Sequence, residues 1–168
     1  MTKLKGIKKL NKAIATELST FKVQAVLEEE FGMYIDERTV AYALTHSVVD
    51  EWFDEFVLKT FGFNVGENDF AMSLLHEIGH LKTMKNIDDD TIEQCHKKIE
   101  KITKKLDKED SDRKEKNLHF KYFAVPTELV ATAWAVEWAR KHPKKFQKLC
   151  KNTTVAIQEF YKANGVTE

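Results

Sequence analysis

Apolar positions recur at spacings of three and four along most of this chain, so the hydrophobic pattern predicts a largely helical protein. In residues 3–19, Leu4, Ile7, Leu10, Ile14 and Leu18 form an apolar stripe through a lysine-rich segment. Phe21, Val23, Val26, Leu27 and Phe31 extend the apolar set, and we read them as a short helix ending at Gly32. From Met33 to Leu44 the pattern changes. β-Branched and aromatic residues flank the polar Asp36-Glu37-Arg38, as in strands joined by a turn. Ser47 opens a helix with Val48, Val49, Trp52, Phe53, Phe56 and Val57 on one face and Asp50, Glu51, Asp54 and Glu55 on the other, ending near Gly62. Asn68 is placed as the N-cap of a helix over residues 69–84, with Asp69 in its first turn. Asp88 to Asp90 start another helix, whose Ile92, Cys95, Ile99, Ile102 and Leu106 are interleaved with lysines. Residues 107–117 are almost wholly polar and read as an exposed loop. Pro126 begins a helix running to about Lys141, and Pro143 opens the last one. The expected fold class is mainly α (α+β), a helical domain with a small β-sheet. At 168 residues, one domain spanning 1–168 is expected.

Charge narrows the function classes. Lys plus Arg number 27 and Asp plus Glu number 27, so the formal net charge is zero and gives no global attraction to nucleic acid or an anionic membrane. The basic start lacks the continuous apolar stretch that a secretory signal carries, and no run of apolar residues is long enough to span a bilayer. Cys95 and Cys150 are too few for a disulfide framework and read as thiols in a reducing cytoplasm. These features lead us to expect a cytoplasmic protein with no nucleic-acid or membrane partner.

The chemistry is concentrated in His76-Glu77-Ile78-Gly79-His80, inside the helix predicted over 69–84. Histidines four apart stack on one helical face, so both imidazoles can reach one metal ion. Glu77 projects beside them, where it can take a proton from a water activated by the metal. Zinc suits such a site, because it accepts neutral imidazoles and keeps a position open for that water. Gly79 costs roughly 1 kcal/mol relative to Ala inside a helix, which suggests a close neighbour there.

A catalytic zinc site needs a third protein ligand. A third His six residues beyond His80 would fall on Asn86, so that extension is absent. His96 lies among lysines and reads as part of a solvated face, while His119 sits in a mixed segment. Glu128 is the stronger candidate. Ala131, Ala135 and Ala139 recur on the face near it, and a ridge of small side chains lets two helices approach closely. Glu137, nine residues on, falls on nearly the opposite side of the helix and cannot serve the same ion.

His76-Glu77-x-x-His80 followed by a helical Glu resembles the gluzincin type of zincin metallopeptidase. Within that group, Glu128-x-x-Ala131-Thr132-x-Trp134-Ala135 is similar to a pattern of ImmA/IrrE-like peptidases, found in bacteria and mobile elements. Thr132 stands where that pattern has Asn. The resemblance implies a zincin-like domain that hydrolyses peptide bonds in a protein or peptide substrate. It implies Zn2+ held by His76, His80 and Glu128, with Glu77 as general base. Zincins often use a Tyr or His to stabilise the oxyanion, and Tyr122 and His119 lie just upstream of Glu128.

Two rival readings compete. Glu77-x-x-His80 and Glu93-x-x-His96 are both Glu-x-x-His pairs, as in di-iron carboxylate bundles, although this leaves His76 unexplained. A non-catalytic metal-binding regulator or phage accessory protein is the other, in which Glu77 has no task.

Overall fold

The structure, a computed structural model, describes residues 4–166. Seven α-helices and a three-stranded sheet occur among these residues, so the expected mainly α class with a small sheet holds. By compactness the chain is described as two units. One comprises the chain up to Thr45 together with Ala139 onward, and the other spans His46–Trp138.

In the first unit, α1 (Ile7–Glu17) packs on α7 (Pro143–Ala163) and on β1. The sheet has the order β1-β3-β2, where β1 is Gln24–Leu27, β2 is Gly32–Tyr34 and β3 is Thr39–Tyr42. β2 and β3 are the expected antiparallel pair, with Met33 opposite Val40, and Arg38 takes the left-handed conformation (φ 48°) in their turn. β1 corrects the helix expected after Phe21. It pairs parallel to β3, Ala25 opposite Val40, because Lys22 turns the chain through a left-handed conformation (φ 55°) immediately before it. Phe21, Val23 and Ala25 are then all buried, the period-two pattern of a strand with one face on a core. Asn11 ties α1 to the sheet, its Oδ1 accepting from the Leu27 N–H at 3.0 Å and the Tyr42 hydroxyl at 2.6 Å.

The second unit holds α2 (Val48–Phe61), α3 (Asp69–Thr83), α4 (Asp89–Leu106), α5 (Asp112–Phe123) and α6 (Pro126–Lys141) as far as Trp138. α2 starts where Ser47 and Asp50 form a capping box and stops at Gly62, whose φ of 64° closes the helix with a bond to the Leu58 carbonyl at 2.9 Å. Asn68 precedes α3 as expected, but its side chain does not cap; Asp69 instead meets His46 at 2.7 Å. Asp88 caps α4 through the Thr91 N–H at 2.9 Å.

The expected loop over 107–117 is a helix from Asp112. The Ser111 carbonyl accepts from the N–H groups of Lys114 and Glu115, both at 2.9 Å. Asp112 and Glu115 complement the first turn, and Lys116 pairs with Glu55 of α2. The apolar stripe that reveals a helix begins only at Leu118. It leads into an aromatic cluster in which Phe123 meets Phe53 and Phe56 at centroid distances of 5.3 and 5.4 Å.

Asp54, also on α2, keeps Oδ1 buried without a hydrogen-bond partner among the described residues. Burial, reinforced by the charges of Asp69 and Asp50, pushes its carboxyl up to about 7. Between pH 4 and 7 the unfolded chain has lost this proton while the folded chain keeps it. Stability therefore falls as pH rises through that window, and the loss is complete above it. Asp54→Asn is expected to gain about 1–2 kcal/mol more at pH 8 than at pH 4, the partial exposure of the site reducing the effect. Urea unfolding at both pH values checks this, and equal gains would refute the shift.

Candidate metal centre

The centre is built where α3 meets α6. Ala71, Leu74, Leu75 and Ile78 bury the core face of α3, which sets the rotation that turns His76 and His80 toward α6. On α6, Pro126 starts the helix so that Glu128 falls in its first turn, and Ala131 and Ala135 are wholly buried. Gly79 is the reason for the close approach. A Cβ on it would sit against the Ala131 carbonyl oxygen and 2.9 Å from the carbonyl carbon. The small residues expected to let the helices meet therefore do so, backbone to backbone.

His76, His80 and Glu128 are 9%, 6% and 8% exposed, so their polar atoms must find partners inside the protein. They find one another. His76 Nε2 lies 3.1 Å from His80 Nε2 and 3.2 Å from Glu128 Oε2, which is 3.3 Å from His80 Nε2. Thr132 decides the protonation of His76. Its hydroxyl donates to the Glu128 carbonyl at 2.9 Å, so it accepts from His76 Nδ1 at 3.0 Å. The His76 proton is then on Nδ1, and Nε2 presents a lone pair to the cluster.

Two imidazole nitrogens and a carboxylate oxygen aimed at one another repel unless a proton or a metal ion lies between them. Ligands about 2.0–2.1 Å from a tetrahedral ion stand about 3.3 Å apart, which matches the three separations. His76, His80 and Glu128 can therefore hold a metal ion, and they are the one such group among the described residues. Their electrostatics agree. Burial alone would raise the Glu128 carboxyl, but the two imidazoles that face its Oε2 outweigh burial and hold it down, at about 2, so Glu128 meets the cluster as a carboxylate. Burial lowers His80, and the Glu128 bond and charge more than offset that. His80 Nδ1 is buried without a partner among the described residues.

Glu77 is half-buried, and its carboxylate has no hydrogen-bond or ion-pair partner among the described residues. Burial raises its pKa, the two histidines lower it in part, and Glu128 adds to the rise. Phe53 closes the apolar side of the site, meeting the His76 ring edge-on at 5.3 Å.

The two suggested oxyanion donors both lie on α5. Tyr122 packs against the buried Cys95, Ile102 and Val125. His119 stacks against Trp52 at 5.3 Å and Phe123 at 6.0 Å, with Nε2 3.8 Å from Glu115, and it stands outside the ligand group. Glu93 and His96 are exposed on α4, and Glu93 pairs with Lys97, so the second half of a di-metal site is not assembled. The residue whose role sequence reasoning missed is Thr132. It is four positions from Glu128, hence on the same helical face, and that spacing was the signal available.

No family model, curated protein or solved structure matches this chain.

The Thr132 bond carries a prediction. Thr132→Val keeps the shape and removes the acceptor that orients His76. Partners of this kind contribute about 10–100-fold to metal affinity. A loss of that size in competition with a chromophoric chelator is expected, and unchanged affinity would mean that packing alone orients the ring.

Proposed function

We propose that this protein is a zinc-dependent metallopeptidase of the zincin type. The observation that carries the reading is the convergence of His76, His80 and Glu128 from two helices beside the unpartnered carboxylate of Glu77. Two histidines and a carboxylate form the donor set of a catalytic zinc rather than a structural one, because they leave a position for a reactant. Zinc held by His76, His80 and Glu128 would supply Lewis acidity for a carbonyl and for the attacking water. Glu77 takes the proton of the attacking water and delivers it to the leaving amine. Thr132 and Phe53 hold His76 in orientation, one by its Nδ1 proton and the other by packing. The peptide bond as substrate rests on the His-Glu-x-x-His motif and its resemblance to gluzincins. No helix among the described residues is long and apolar enough to cross a membrane, in keeping with the cytoplasmic location we assign.

Metal content tests the centre. Plasma mass spectrometry of the chain purified without chelators is expected to give about one zinc per chain, falling to less than about a tenth of that in Glu128→Ala. His119→Ala is expected to retain the metal. Full occupancy in Glu128→Ala would remove that residue from the ligand set, and no binding by wild type on adding zinc would end the metallopeptidase reading.

A further inference from the structure

The α4–α5 hairpin supplies none of the three ligands, yet it carries a groove of its own. Two adjoining hollows of about 660 and 460 Å3 open there and share Lys101, Lys105, Leu118 and Lys121. Lys98, Lys101 and Lys105 follow one another at three and four residues and form a row along α4, while Lys114 and Lys121, seven apart, form a row along α5. Between the rows the floor is apolar, with Leu118 half-buried and Ile102 buried.

What sets this groove apart is the lack of counter-charge. Lys97 on the same helix pairs with Glu93, and Lys114 lies 3.7 Å from Glu109, the one acidic residue of the lining. Lys98, Lys101, Lys105 and Lys121 are exposed and have no ion-pair partner among the described residues. In a chain of zero net charge, four unpaired ammonium groups around one hollow are a local excess, and a concave surface concentrates their field.

We propose that this groove docks an acidic polypeptide segment of a partner protein, its carboxylates meeting Lys98, Lys101, Lys105 and Lys121 and an apolar side chain lying on Leu118. The lining contains no aromatic ring on which bases could stack, which disfavours single-stranded nucleic acid. It also contains no arginine for bidentate phosphate recognition. Its apolar residues lie below the lysines, whereas a membrane-surface site projects them outward. Lysines are mobile point charges that accept carboxylates at varied angles, as a flexible acidic segment requires. The proposal is independent of the metal centre and of any peptidase activity.

Fluorescence anisotropy of the 168-residue chain with a labelled peptide of aspartates and glutamates around two leucines tests it. Saturable binding is expected, weakening between about 50 and 200 mM NaCl as screening shortens the reach of the lysines. K101E/K105E/K121E is expected to weaken binding about tenfold or more. K8E/K12E/K162E, with the same change in net charge on other exposed lysines, is expected to retain it. The neutral K101Q/K105Q/K121Q should show the same loss to a smaller degree, and it takes over as the test if charge reversal lowers the thermal melting point. No binding, binding indifferent to the groove variants, or equal loss in both charge-reversal variants would overturn the proposal. Tighter, groove-dependent binding of oligouridylate or of phosphatidylserine vesicles would overturn it in favour of those ligands.

Discussion

Glu77→Gln is expected to lower peptide hydrolysis by about 10²–10⁴-fold while leaving the metal content of the protein unchanged, the range that a positioned general base contributes. The substitution keeps the size of the side chain and removes only its ability to hold a proton. The Glu77 carboxylate has no hydrogen-bond or ion-pair partner among the described residues for the change to break. It also stands outside the ligand set, which is His76, His80 and Glu128. Activity and metal binding should therefore separate in this variant and fall together in Glu128→Ala. The measurement is mass-spectrometric detection of cleavage across a randomised peptide mixture, with plasma mass spectrometry on the same samples. Cleavage by Glu77→Gln at the wild-type rate would mean that another group takes the proton. A wild-type protein that binds zinc and cleaves nothing in the mixture would leave the centre intact and favour a metal-binding regulator.

The parts of the site that were legible in the sequence are those that depend on helical period alone. His76, Glu77 and His80 share a short helical segment, so their relative placement follows from the rise and turn of the helix. Glu128 was legible for a different reason: the small residues Ala131 and Ala135 announce a close helix contact, and Gly79 answers it from the other side. Thr132 was visible on the right face, but its function depends on where its hydroxyl proton points, and only the Glu128 carbonyl decides that. For Tyr122 and His119 the sequence supplies only nearness to Glu128. Each precedes Glu128 by a few residues, yet the rotation of α5 is set by its own core contacts. These turn Tyr122 toward Cys95 and Ile102 and His119 toward Trp52.

The same distinction explains the fold. α2, α3 and α6 announce themselves by long apolar faces and caps, and their bounds agree with the pattern within a residue or two. β1 was hidden because Phe21, Val23, Val26 and Leu27 fit a helical spacing as well as an alternating one, and pairing with β3 chooses the strand. The start of α5 was hidden because its first turns are stabilised by end effects and a distant ion pair with Glu55, neither of which leaves a hydrophobic period.

Gly79→Ala reverses an ordinary rule, and the sign of its effect decides how the two helices meet. Inside an exposed helix this change stabilises by roughly 1 kcal/mol, because Gly has more backbone freedom to lose on folding. Here the added methyl would meet the carbonyl oxygen of Ala131, with the carbonyl carbon at 2.9 Å and Cα at 3.0 Å. All three are backbone atoms, so no rotamer change relieves the clash, and α6 must move away from α3. Overpacking of this kind costs typically about 1–3 kcal/mol. The functional loss should exceed the structural one. Glu128 lies one helical turn before Ala131, and its Oε2 stands 3.2 and 3.3 Å from the two imidazole nitrogens. Any retreat of α6 carries that oxygen out of the ligand set. Gly79→Ala is therefore expected to fold with a lowered melting temperature and to lose zinc affinity about 100-fold or more, as a weakened first ligand would. Ala131→Gly should not rescue it, since the obstructing atoms remain. A variant that melts higher than wild type and keeps its zinc would show that the helices stand further apart than this geometry requires, and would return Gly79 to the status of an incidental helix residue.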